Sequence, residues 1–169
     1  MAKRSHRPAA SAHRRPAKSA AHPPSRERAI LRVLLPVDGS QGSLRAVDHV
    51  IQSYQRLRPA QVHLLNVQSP IPLLQRWRSR RAEIAAQQHA AGLEALQTAR
   101  ARLDAAGIAY AQHVVVGPAA QSIVGYARRW NCDVIIIGTR GLGRTPRLVL
   151  GSVATKVIRL AKHPVTLVN

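Results

Sequence analysis

The stretch ILRVLLPVDGS (Ile30–Ser40) decides how the rest of the chain is read. Its apolar run is short, is broken only by Arg32 and ends at an Asp-Gly turn signal. Such a run reads as a strand buried on both faces. Working outward, Ser40–Leu57 carries Leu44, Val47, Ile51 and Tyr54 at helical spacing. VHLLNV (Val62–Val67) is a second buried strand, and residues 68–73, with Pro70 and Pro72, form a loop. A long helix is predicted over 74–105, with Leu74, Trp77, Ile84, Leu93, Leu96 and Leu103 on its apolar stripe and Gly107 as its stop. HVVV (His113–Val116) is a third strand. Pro118 opens a helix with Ile123, Val124 and Ala127 facing inward. DVIIIG (Asp133–Gly138) is a fourth strand. A helix over Gly151–Ala161 turns Val153, Val157 and Ile158 inward, and after His163-Pro164 the segment VTLV (Val165–Val168) is a fifth strand. Strands alternating with helices build βαβ units. The expected architecture is α/β, a doubly wound parallel sheet with helices on both faces, whose ligands bind at the carboxyl ends of the strands.

Residues 1–28 differ from this pattern. They contain no Ile, Leu or Val, and they carry eight Lys/Arg and one acid, a net charge of +7. A segment that buries so little apolar area cannot offset its ordering entropy, so it is expected to be a disordered basic tail before a single domain over 29–169. A transit peptide is also Arg- and Ser-rich and poor in acids, but the prolines and weak amphipathicity here argue against that. The remaining 141 residues hold 18 basic and six acidic groups, so the domain is basic too, and the whole chain of 169 residues has a net charge of +19. Such a surface attracts polyanions. Five aromatic residues and no Phe require an aliphatic core. The single cysteine, Cys132, excludes an internal disulfide framework and a cysteine-rich zinc site. With no apolar run near the ~20 residues that span a bilayer, and no secretory h-region, the expectation is a soluble cytoplasmic protein.

Two strand ends stand out: Pro36-Val37-Asp38-Gly39-Ser40, and Gly138-Thr139-Arg140-Gly141 followed nine residues later by Gly151-Ser152. Glycines at a strand–helix turn let the backbone approach a ligand closely. A helix N-terminus offers unpaired N–H groups and the positive end of its dipole to phosphate. Ser152 can cap that helix or donate to a phosphate oxygen, and Arg140, Arg144 and Arg147 can neutralise phosphate charge. On glycines alone, plain turn glycines and an N-cap serine are the better explanation of the pattern.

The spacing Gly138-x2-Gly141-x9-Gly151-Ser152 resembles the nucleotide-binding signature of the universal stress protein family. So do VLLPVDGSQGSLRAVDHVI, HLLNV, DVIIIGTRGLG and GSVATKVIRLAKHPVTLV, which together cover residues 30–168. The resemblance implies a five-stranded sheet of order 3-2-1-4-5 that binds ATP or a related adenine nucleotide, with Mg, as in the family's ATP-binding branch. It implies that Asp38 contacts the ribose and helps to hold the divalent cation, and that Pro36, Val37 and Val67 border the adenine. Gly138, Arg140 and Gly141 would line the ribose and phosphate side, and Gly151, Ser152 and Val153 would receive the phosphates. It further implies a nucleotide-dependent stress-response protein, homodimeric through the C-terminal strand. Pro146 departs from the pattern, because a proline there removes an N–H from the phosphate loop.

Other residues carry less. His49, His63, His89, His113 and His163 are scattered, with no metal-ligand spacing between any two, and Cys132 reads as small apolar filler. The run Arg76–Arg81 reads as a solvated helix face, or, with the tail, as a nonspecific, salt-sensitive contact for nucleic acid or anionic membrane. No constellation of nucleophile, base and acid is visible, so the sequence supports at most slow ATP hydrolysis or self-phosphorylation.

Overall fold

The computed structural model describes residues 30–54, 60–71, 81–141 and 150–169. Five strands, β1 (Leu31–Pro36), β2 (Ala60–Gln68), β3 (Tyr110–Val116), β4 (Val134–Gly138) and β5 (Val165–Val168), form one parallel sheet in the order β3-β2-β1-β4-β5. Four described helices connect them: α1 (Gln41–Tyr54), α2 (Arg81–Ala105), α3 (Ala119–Arg129) and α4 (Ser152–Leu160). The expected doubly wound α/β sheet is therefore the fold. The tail, the run Arg76–Arg80 and the residues Arg144, Pro146 and Arg147 lie outside the described residues.

Alternation along β1 explains why every one of its later residues is apolar. Val33, Leu35 and Val37 enter one core with Leu44, Val47 and Val50 of α1 and Leu96, Ala99 and Leu103 of α2. Leu34 enters a second core with Leu65, Ile135 and Ile137 of the sheet, Ile123, Val124 and Ala127 of α3, and Ala154 and Val157 of α4. A strand covered on both faces has no polar side to spend on solvent. The fully buried hydrophobic residues are Val, Leu, Ile, Ala and Cys132, so the core is aliphatic as composition requires. Burial, then neighbouring Asp133, pushes the Cys132 thiol up to about 11, which fits its place as apolar filler in the second core.

Two local expectations are corrected. The third strand begins at Tyr110 rather than His113, because residues from Tyr110 onward pair in register with β2 from Val62. On α4 the buried residues are Ala154 and Val157, while Val153 and Ile158 are 38% and 42% exposed. Val157 is thus inward as expected, and Ala154, between the two exposed residues on the helix circumference, takes the place expected of Val153 and Ile158. The expected end of the first helix at Leu57 and the expected start of the long helix at 74 lie outside the described residues; the described parts run to Tyr54 and from Arg81.

Beyond its middle, β1 keeps company with one neighbour only. It pairs with β2 from Leu31 to Pro36, whereas its registered pairs with β4 are Val33–Val134 and Leu34–Ile135. Pro36 has no N–H to offer, and it stands where β1 and β4 part.

Candidate functional site

The carboxyl ends of β1 and β4 open onto a cavity of about 390 Å³, within the roughly 300–1,000 Å³ common for small-molecule sites. β1 supplies Pro36, and the turn after it Val37 and Asp38; β2 supplies Val67. Gly138 ends β4, and Arg140 and Gly141 follow it. Gly151, Ser152 and Val153 enter with the start of α4. All ten residues singled out in the sequence therefore line one cavity. The sequence reading missed Ala119 and Ile123, by which the start of α3 also lines the cavity. Only the right-handed βαβ crossover that seats α3 beside α4 could have signalled them.

Asp38 is held by the chain around it. Gly39 adopts φ 82°, the left-handed region that favours glycine. That turn brings the Ser40 N–H and Oγ–H to donate to Asp38 Oδ1 at 3.0 and 2.6 Å. Ser40 Oγ also accepts the Ser43 N–H at 3.2 Å, so Ser40 closes the start of α1. Asp38 is the one carboxylate, and Arg140 the one cationic side chain, among the described lining residues.

The glycines have a second account. A Cβ on Gly138 would strike the Gly42 carbonyl oxygen, and one on Gly42 would strike that of Arg140. These two glycines let the first turn of α1 lie against the end of β4. A Cβ on Gly141 would stand 2.6 Å from Asp38 Oδ2, and one on Gly151 3.1 Å from the Thr139 carbonyl oxygen. The spacing is thus demanded by how the cavity walls fit together, before any ligand is considered.

The starts of α3 and α4 complete the electrostatics. The residue before α4 is Gly151 and the residue before α3 is Pro118; neither helix has a side-chain cap hydrogen bond. Ser152 is the first helical residue, not the cap, which corrects one of its two predicted roles. The first backbone N–H groups of a helix have no partner within it. Here the first residue of α3, Ala119, and the first three of α4, Ser152, Val153 and Ala154, line one cavity, each at the positive end of a helix dipole.

A second cluster lies elsewhere. His63 Nδ1 and His113 Nε2 are 3.3 Å apart, and the ring of Trp130 lies over both, with centroid separations of 5.2 and 3.8 Å. The sequence reading found no pairing among the histidines. They meet because β2 and β3 are neighbours, with Leu65 opposite His113, which sets His63 on the diagonal of the same face. Burial first, then Arg32, lowers the His63 pKa; burial first, then His63 itself, lowers that of His113. Among the described residues no group of three His, Cys, Asp or Glu side chains is arranged to hold a metal ion.

With this geometry in place, comparison with known proteins is decisive. The model of the universal stress protein family matches residues 30–169.

This chain belongs to the universal stress protein family.

It is similar to universal stress protein MJ0531 of Methanocaldococcus jannaschii, 30% identical over 139 residues that span 82% of this chain and 81% of the relative. Among solved structures it resembles MJ0577, with a TM-score of 0.69, 26% identity and coverage of 81% of this chain and 94% of that one. It also resembles a universal stress protein in complex with cAMP, with a TM-score of 0.63, 28% identity and coverage of 82% and 97%. The sheet order β3-β2-β1-β4-β5 is the one that the family resemblance implied. No described helix is long and apolar enough to cross a membrane.

Proposed function

We propose that the cavity above β1 and β4 binds an adenine nucleotide, ATP with Mg, and that this universal stress protein is a nucleotide-dependent stress-response protein. The observation that carries this reading is the start of α4. It begins without a side-chain cap at Gly151-Ser152, on a cavity that also receives the uncapped start of α3 and the guanidinium-bearing Arg140. Free N–H groups, helix dipoles and one arginine suit phosphate. Pro36, Val37 and Val67 offer an apolar wall to a base, and Asp38 suits a ribose hydroxyl. The cAMP complex of a 28% identical relative supports the choice of adenine.

Asp38 also suits a divalent cation that arrives with the nucleotide. It is the only lining carboxylate described, so phosphate oxygens and water would supply most ligands, as Mg²⁺ prefers. No described side chain is set as a base to activate water, since the one lining carboxylate is engaged by Ser40. Turnover is therefore slow or absent. β5 stands at an edge of the sheet with its Leu167 exposed, and Ile158 and Leu160 of α4 are exposed as well. A homodimer through this strand would cover the edge and Leu167. The basic tail and Arg76–Arg81 suit a separate, salt-sensitive contact with nucleic acid.

The test is to denature protein washed in high salt and to identify any released nucleotide, then to titrate the washed protein with ATP. Bound or binding ATP supports the proposal; a cavity that takes neither ATP, ADP nor AMP at millimolar concentration overturns it.

A further inference from the structure

One buried polar side chain beneath the cavity is unexplained by the contacts described so far. Asn66, on β2, is 2% exposed and sits between the aliphatic Leu65 and Val67. A buried amide must be hydrogen-bonded on both sides, and this one is. Its Nδ2 donates to the Val37 carbonyl oxygen at 2.8 Å, and its Oδ1 accepts from Gln68 Nε2 at 2.7 Å. α2 closes over the pair at Gly92, where a Cβ would overlap the Val114 side chain and approach Asn66 Oδ1 to 3.1 Å. A glycine inside a helix weakens it, and here it makes room for this contact.

The contact matters because of where Val37 stands. β1 has ended at Pro36, so sheet pairing no longer fixes both sides of the next peptide. The Val37 N–H still donates to the Leu65 carbonyl at 2.9 Å. Its carbonyl is taken by Asn66. The carbonyl of Val37 and the N–H of Asp38 form one planar unit, so holding the first fixes the direction in which Asp38 leaves the strand.

We infer that Asn66 is a positioning residue for nucleotide binding: without touching the ligand, its amide holds the Val37–Asp38 peptide so that the Asp38 carboxylate enters the cavity at a fixed angle. This inference rests on the nucleotide-binding reading above. The test uses the full chain and ATP. Asn66→Leu fills the space without a donor, and Asn66→Asp keeps the shape but turns the donor into an acceptor. Leu96→Ala, in the core on the same face of the sheet and away from the cavity, is the control for general loosening. We expect both Asn66 variants to bind ATP about tenfold more weakly, and the amide resonance of Asp38 to shift in their spectra. Leu96→Ala should bind within about twofold of the parent, with that resonance in place. Parent-like affinity in either folded Asn66 variant, or an equal loss in Leu96→Ala, overturns the inference and leaves the nucleotide site standing. A parent protein that does not bind ATP overturns both.

Discussion

α1 and α4 both begin at the carboxyl ends of strands, on opposite faces of the sheet, yet their first turns are finished differently. At α1 the chain satisfies itself: Ser40 Oγ accepts the Ser43 N–H, Ser40 also braces Asp38, and Gly42 lies against the end of β4. At α4 the preceding residue is Gly151, which has no side chain to turn back, and the first turn faces the cavity. Both serines fall in a Gly/Ser-rich turn, but only Ser40 occupies the capping position. The difference separates a helix start that holds the fold from one left open to a ligand.

Substitutions at the open end should affect binding before stability. The largest effect is expected for Gly151→Leu, whose side chain would begin 3.1 Å from the Thr139 carbonyl oxygen at the edge of the cavity, where the proposal places phosphate. ATP affinity should fall by roughly 100-fold or more, measured by titration calorimetry. Ser152→Ala should weaken ATP binding about tenfold while leaving the urea midpoint unchanged, because the hydroxyl caps nothing. Ser40→Ala should reverse the order, losing about 1 kcal/mol of stability through the lost cap. If Ser152→Ala were the destabilising change instead, the contrast between the two ends would fail.

α3 carries the same contrast along its own length. Its start is uncapped on the cavity, while its end is closed by the backbone. The Asn131 N–H donates to the Arg128 carbonyl and the Cys132 N–H to that of Ala127, with Asn131 at φ 49°. This is a Schellman closure with asparagine in the left-handed position. Asn131→Ala should cost about 1 kcal/mol in urea denaturation, Asn131→Gly much less, and neither should alter ATP affinity.

The smallest effect concerns the histidines beneath Trp130. Their folded pKa values lie below the ordinary 6.5, so the unfolded chain takes up protons that the folded chain resists. Their contribution to stability is complete above pH 6.5 and declines as the pH falls below it, levelling once the folded pair also protonates. His113→Phe should flatten the urea midpoint against pH in that window while leaving ATP affinity at pH 7.5–8, about a unit above it, unchanged. An unaltered slope would detach the pair from stability.

The fold was legible because each strand is a short apolar run between turn signals, and nine of the ten cavity residues because they cluster in three short stretches that the sheet order brings together; the tenth, Val67, came only from the family resemblance. The local misreadings share a cause. Helical spacing on α4 marks the direction of a stripe but not its width, so Val153 and Ile158 at its margins are exposed while Ala154 and Val157 are the buried pair. His63 and His113 are 50 residues apart and meet only through the β2–β3 register, which no local pattern states. Asn66 looked like one polar letter in a strand; its meaning depends on where β1 ends.

The most direct test of the central claim compares ATP with adenosine on the high-salt-washed full chain by calorimetry. If the open ends of α3 and α4 receive phosphate, ATP should bind at one site per chain and adenosine at least tenfold more weakly. Equal affinity for the two, or binding of neither, would contradict the account.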